Sequence, residues 1–112
     1  MVKVITLLKR KGSLSQEEFS RYWKQTHGML VSKTVPCVKR YVQNHVVKLP
    51  GGREPFMDGV AELWYEDMES WRKSAEWYRS DEGKIIRDDE EKFLDKSKTA
   101  FIVVQEEEIL RK

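Results

Sequence analysis

The sequence has few of the residues that bind metals or form disulfides. It contains one cysteine, Cys37, and two histidines, His27 and His45. One thiol cannot close an internal disulfide, and these residues do not have the spacing of a zinc site. A glycine-rich phosphate loop is also missing, because the Pro-Gly-Gly stretch at 50–52 is not followed by a Lys-Ser or Lys-Thr pair. We therefore expect no bound metal.

Long apolar runs and a basic surface stripe are missing as well. No run approaches the ~18 apolar residues of a membrane span, and no signal peptide begins the sequence. Charged residues make up 36% of the chain, but the two signs are interleaved and the formal net charge is only +2. We expect a cytoplasmic protein that binds neither membranes nor nucleic acid. The length of 112 residues predicts a single domain, 1–112.

The first predicted helix carries a complete start signal. Ser15 is followed three residues later by Glu18, which is the pattern of a capping box. Leu14 and Phe19 have the spacing of a hydrophobic staple around that cap. Gly28, placed directly after His27, is the predicted end of this helix.

The remaining elements follow from alternation and from capping residues. β-branched and alternating stretches predict strands over 2–8, 38–49, 56–66 and 99–105. A second helix begins at Asp67 with Met68 on its buried stripe, and Ser80 caps a further helical piece. The order βαββαβ, with an extra helical segment before the last strand, predicts an α+β, ferredoxin-like sandwich.

The first and last strands carry apolar side chains on both faces. In the first strand, Ile5 and Leu7 lie on the face opposite Val4 and Leu8. The helices of the predicted fold cover only one face of the sheet. We therefore expect a second copy of the chain to cover the other face, which gives a homodimer through the sheet face. A standard interface buries about 1,600 Å² in total.

An ordered set of short motifs resembles the EthD family, which is named after ethyl tert-butyl ether degradation. The motifs are Leu7-Leu8-Lys9-Arg10-Lys11, Ser15-Gln16-Glu17-Glu18-Phe19, Tyr22-Trp23, His27-Gly28-Met29-Leu30, Tyr41-Val42-Gln43-Asn44, and Asp89-Glu90 with Phe93 and Asp95. The resemblance implies a dimeric α/β barrel made of two ferredoxin-like protomers, with no bound metal or organic cofactor. The family has Pro after His-Gly, and Met29 stands there in this chain.

His27 and Asp89 are the first candidates for chemistry. The imidazole of His27 can transfer a proton near neutral pH, and its alternative role is to cap the helix end. The carboxylate of Asp89 would orient the imidazole and support the imidazolium. Its alternative is a solvated position within the acidic run 88–91, and Asp88 replaces it if the helical phase is shifted by one residue.

Aromatic residues are abundant and suggest a pocket for a flat apolar molecule. Tyr41 is a candidate hydrogen-bond donor to a substrate oxygen, and Trp64 is expected to share its pocket from the neighbouring strand. The other candidate substrate-binding residues are Tyr22, Trp23 and Trp77. Core packing is the alternative throughout and is favoured for Trp23. His45 is interpreted as an edge or interface residue.

These residues favour a cofactor-independent enzyme. It would act on a small aromatic, polyketide-like or xenobiotic molecule by proton transfer through His27, as a dehydratase, isomerase, cyclase or oxygen-using enzyme. One alternative is a non-catalytic protein that binds small molecules or assists an oxidation pathway. Another alternative is a haem-binding protein with His27 as axial ligand. The wider barrel group hosts several reactions, so membership of the family does not fix one.

Overall fold

The computed structural model describes residues 1–112 and contains four strands and five helical segments. They are β1 (Val2–Leu8), α1 (Gln16–Tyr22), a π-helical turn (Trp23–His27), α2 (Gly28–Thr34), β2 (Val38–His45), β3 (Gly59–Tyr65), α3 (Met68–Arg79), α4 (Lys84–Glu90) and β4 (Ala100–Val104). The strands form one sheet in the order β2-β3-β1-β4, and every neighbouring pair is antiparallel. The predicted ferredoxin-like α+β fold is confirmed.

Strand alternation separates the sheet into an inner face, which the helices cover, and an outer face. On the inner face, Leu8 of β1 and Ala61 of β3 are buried beneath helical residues Phe19 and Trp23. Phe93, which follows α4, is completely buried in the same cluster. The core therefore lies between one side of the sheet and the helices, as the alternation predicts.

The predicted helix starts are correct at two of three positions. The Ser15 hydroxyl accepts from the Glu18 N–H at 3.1 Å, and the Glu18 carboxylate accepts from the Ser15 N–H at 2.9 Å. Asp67 caps α3 by accepting from the Ser70 N–H at 2.8 Å. Ser80 does not begin a helix: it ends α3, and its hydroxyl donates to the Trp77 carbonyl.

The predicted helix end at Gly28 is wrong. Gly28 has helical dihedral angles, and the chain continues through it into α2. A glycine is needed there for space, because a Cβ atom would lie 2.6 Å from Nε2 of Gln43 and 3.0 Å from the Trp23 carbonyl oxygen. The residue permits β2 to approach the helix, which a C-terminal cap would not explain.

Smaller differences concern strand lengths and one helix face. β2 ends at His45 and β3 begins at Gly59, so both strands are shorter than predicted. Met68 is 38% exposed instead of buried, and Ser74 takes a buried place on α3. The Ser74 hydroxyl is 2.9 Å from the hydroxyl of buried Tyr65, so a polar pair satisfies this contact with the sheet.

Gly59 is the position where the first helical layer approaches the sheet most tightly. A Cβ atom there would lie 2.5 Å and 2.8 Å from ring atoms of Trp23, which is fully buried. We expect Gly59→Ala to lower the free energy of unfolding by about 1–3 kcal/mol through overpacking. Urea unfolding measures the change. Gly12→Ala is the matched control, because its Cβ meets nothing within 4 Å, and an equal loss in both variants would contradict the explanation.

Candidate functional site

A cavity of about 520 Å³ lies between the helical layer and the inner face of the sheet. Most of its lining is apolar or aromatic, and it includes Trp23, Tyr41, Trp77 and Phe93. His27 is among the few polar residues of the wall. This combination of an apolar chamber with a few polar groups is typical of sites for small organic molecules.

His27 and Asp89 form a buried pair at the wall of this cavity. The distance between His27 Nδ1 and Asp89 Oδ2 is 2.8 Å, and each residue is only 6% exposed. A carboxylate can only accept, so Nδ1 carries the hydrogen and donates it to Asp89. The other ring nitrogen, Nε2, has no protein partner and is the atom available to a ligand.

Tyr22 is the second hydrogen-bond donor to the buried carboxylate, and the exposed Lys92 ammonium lies 3.9 Å from its Oδ1. Its hydroxyl donates to Asp89 Oδ1 at 2.5 Å, while Oδ2 is occupied by His27. Burial, together with this hydrogen bond and the charge of Asp89, raises the pKa of Tyr22 to about 12. The phenol therefore remains a donor at physiological pH. Tyr22 supports Asp89 and is not among the residues that line the cavity, where the sequence predicts it.

The identity of the pairing acid is also resolved by the structure. Asp89 points inward, whereas the neighbouring Asp88 is exposed and accepts from Lys84 at 2.6 Å. Of the two readings left open by the sequence, the helical phase of α4 selects Asp89. The ring of Phe93 packs 4.7 Å from the His27 ring and covers the pair from the core side.

The π-helical turn brings His27 into this position. It spans Trp23–His27, and the Gly28 N–H donates across it to the Trp23 carbonyl. A turn of this kind is rare and occurs often at functional sites. The same carbonyl accepts from Nε2 of Gln43 at 2.9 Å, which ties the turn to β2. No signal in the sequence distinguishes this turn from an ordinary helix.

Tyr41 lines the cavity from β2, and Gln43 holds it in place. The Gln43 amide donates to the Tyr41 hydroxyl at 2.9 Å, so the hydroxyl proton is free for a ligand. Burial raises the pKa of Tyr41, which keeps that proton in place. Gln43 also contacts His45. The His45 ring packs 4.5 Å from the Trp23 ring, and burial lowers the pKa of His45. Gln43 therefore positions both Tyr41 and the π-helical turn, a role that its place in the Tyr41-Val42-Gln43-Asn44 motif does not predict.

The four candidate aromatic residues other than Tyr41 have different positions. Trp23 and Trp77 both line the cavity, and Trp23 also belongs to the core. Trp64 does not share a pocket with Tyr41, and that expectation is wrong. Trp64 pairs with Arg40 across β2 and β3, and so lies on the outer face, where the Arg40 guanidinium stacks 4.4 Å from its ring. Neighbouring strands do not bring two side chains together when they point to opposite faces.

The structure contains neither a group of side chains that could hold a metal ion nor a helix that could span a membrane. No group of three or more His, Cys, Asp or Glu side chains is arranged to hold a metal ion. No helix combines the length and the apolar character that crossing a bilayer requires.

The fold and the cavity define a class of protein: ferredoxin-like α+β proteins with a chamber between helices and sheet. Residues 11–97 match the EthD domain, and the chain belongs to the EthD family. No curated protein matches the sequence. An ethyl tert-butyl ether degradation family protein from Bacillus halodurans C-125 is 26% identical, with a TM-score of 0.72 over 96% of this chain and 99% of its own.

Two further solved structures share the fold at lower identity. A protein from Arabidopsis thaliana is 17% identical, with a TM-score of 0.67 over 99% of this chain and 100% of its own. A protein from Bacteroides fragilis NCTC 9343, described as dimeric with a ferredoxin-like fold, is 11% identical, with a TM-score of 0.62 over 93% of this chain and 94% of its own. These likenesses concern the fold.

The raised tyrosine pKa values give an expected alkaline transition. Unfolded tyrosine ionises near pH 10, whereas Tyr22 has a pKa of about 12 in the folded chain. The folded state therefore holds more protons in this interval, and the free energy of unfolding falls as pH rises above about 10. Urea unfolding across this pH range measures the fall.

The contribution of Tyr22 is isolated by substitution. In Tyr22→Phe, the free energy of unfolding should fall less steeply above about pH 10, because one group with a raised pKa is removed. Burial also raises the pKa of Tyr65, so Tyr65→Phe is the comparison variant: it removes a buried tyrosine but leaves the contact with Asp89 unchanged. Ultraviolet absorbance that shows Tyr22 ionising at its ordinary pH in the folded protein would contradict the assignment.

Proposed function

We propose that this protein is a cofactor-independent enzyme that moves a proton on a small aromatic, polyketide-like or xenobiotic molecule. The observation that carries the proposal is the buried contact of His27 with Asp89 at the wall of an apolar cavity. A buried acid that orients an imidazole, with the second ring nitrogen free, is the arrangement of a general base. Membership of the EthD family is compatible with this function but does not specify it.

The proposed step is proton transfer next to a carbonyl group. Nε2 of His27 takes the proton from the carbon, and the bonding electrons move to the carbonyl oxygen to give an enolate. The Tyr41 hydroxyl donates a hydrogen bond to that oxygen, since its proton is not used within the protein. Asp89 stabilises the imidazolium that forms. His27 then returns the proton to another carbon in an isomerisation, or to a departing hydroxide in a dehydration.

Deuterium exchange tests the step without knowledge of the natural substrate. β-Tetralone is a bicyclic ketone with acidic protons beside its carbonyl, and its exchange in heavy water is followed by NMR. We expect the wild-type protein to accelerate exchange above the buffer rate. His27→Gln should reduce the protein-dependent rate roughly 10²–10⁴-fold, which is the usual contribution of a general base.

Two further variants separate catalysis from folding. Asp89→Asn keeps the side-chain shape but removes the charge that stabilises the imidazolium, so we expect the exchange rate to fall. The fall should be smaller than in His27→Gln, because the imidazole is still present as the base. Asp88→Asn is the matched control, because Asp88 is exposed on the same helix, accepts from Lys84 and does not line the cavity. If His27→Gln leaves the exchange rate unchanged, the enzyme proposal fails and the alternative of a non-catalytic binding protein gains support.

We also propose that two copies pair through the outer sheet face to form a dimeric α/β barrel. Ile102 of β4 is 59% exposed on this face, next to Ile5 of β1, and no helix covers either residue. Leu7, Val42 and Trp64 add apolar area to the same face. Removing this surface from water would favour association. The dimeric description of the Bacteroides fragilis protein supports the proposal.

Substitution on the outer face tests the dimer. Ile102→Lys would bury an unpaired charge between the two sheets, so we expect sedimentation to detect a monomer where the wild type gives a dimer. Ile85→Lys is the matched control, because Ile85 is 49% exposed on α4, away from the sheet face. A wild-type chain that remains monomeric at high concentration would refute the proposed assembly.

A further inference from the structure

A second polar cluster lies on the wall of the same cavity. The Lys96 ammonium donates to Glu90 Oε1 at 2.7 Å and to the Tyr78 hydroxyl at 3.0 Å. The Tyr78 hydroxyl in turn donates to Glu90 Oε1 at 2.5 Å. All three residues line the cavity, and none of them belongs to the set around His27. This cluster is not used in the proton-transfer step.

The two clusters have the same construction and are joined by α4. Asp89 accepts from a tyrosine hydroxyl and from His27, and Glu90 accepts from a tyrosine hydroxyl and from Lys96. Successive helical residues point in directions about 100° apart. One helix end therefore holds an imidazole and an ammonium at different places on the wall of one cavity.

The ammonium retains capacity to bind a ligand. A lysine has three N–H donors, and Glu90 and Tyr78 use two of them. Burial lowers the pKa of Lys96, but its hydrogen bonds to Glu90 and Tyr78 together raise it by more. The net shift of the pKa is upward, so the group stays charged. The Lys96 side chain is only 35% exposed, so its third donor is partly shielded from water.

The charged residues that line the cavity sum to a positive value. Glu90 balances Lys96, while Arg79 also lines the cavity and has no salt-bridge partner. Around His27, by contrast, Asp89 supplies a negative charge, which the exposed Lys92 offsets only from 3.9 Å. A ligand with an anionic end is therefore attracted toward Lys96 and Arg79 and repelled from Asp89.

We propose that the cavity binds an apolar carboxylic acid, whose carboxylate accepts from Lys96 while the apolar body lies toward Trp77 and His27. This inference rests on the proposed function, because it specifies the substrate class of the same cavity. Charge-assisted hydrogen bonds are stronger than neutral ones, so an acid binds better than a neutral molecule of the same shape. Lys96 is then the residue that determines specificity for the acid.

A matched pair of ligands tests the inference. β-Naphthoate and β-naphthamide have the same ring system and differ in charge, and calorimetric titration gives the affinity of each. We expect the wild-type protein to prefer the carboxylate roughly tenfold or more, as one charge-assisted hydrogen bond provides. In Lys96→Met the preference should disappear, and Lys96→Arg should restore much of it.

Two controls make the result interpretable. Retained affinity of Lys96→Met for β-naphthamide shows that the cavity is still folded, and Lys98→Met removes an exposed lysine outside the cavity lining. Equal wild-type affinity for the two ligands, no binding of either, or a preference that survives Lys96→Met would each overturn the inference. His27→Gln distinguishes the two proposals: it should keep the preference for the carboxylate, whereas the loss or persistence of exchange in that variant concerns proton transfer alone.

Discussion

The architecture of the site depends on satisfying one buried carboxylate. Asp89 is 6% exposed, and an ionised group in such a place is costly unless it is paired and hydrogen-bonded. His27 comes from the π-helical turn and Tyr22 from α1, so the charge fixes both segments against α4. Removal of either partner leaves one carboxylate oxygen of Asp89 without its hydrogen-bond donor. The requirement to satisfy this acid thus sets the orientation of the imidazole.

The position of α4 follows from packing as well as from charge. Phe93 is completely buried just after the helix, and its ring lies against Phe19, Tyr22 and His27. An aromatic group in this place excludes water from the His27–Asp89 contact, and a lower local dielectric strengthens that contact. The apolar core and the polar site are therefore one structure: the residues that stabilise the fold also keep the catalytic candidate dry on one side.

The features that the sequence predicts are those with local signals. The capping box at Ser15, the cap at Asp67 and the strand alternation depend on residues a few positions apart, and each has the expected outcome. The inward direction of Asp89 depends on the helical phase, and the outer position of Trp64 depends on the strand register. An error of one residue in either places the side chain on the wrong face. The π-helical turn and the tight approach at Gly28 both contact Gln43, fifteen or more residues away. Local patterns do not contain that information.

The sheet divides the molecule into two surfaces with different physical demands. The inner face accommodates a cavity, so its helical cover must leave space between Trp77 and the strands and still satisfy buried polar groups. The outer face carries Lys3 and Arg40 at 4.9 Å and 4.4 Å from the Trp64 ring, and Lys3 also pairs with Glu62 and Glu106. Lys3 thus has ion-pair partners within its own chain and Arg40 lies against an aromatic ring, which reduces the desolvation cost of covering that face. Because side chains alternate along each strand, a substitution on one face does not directly alter the groups of the other.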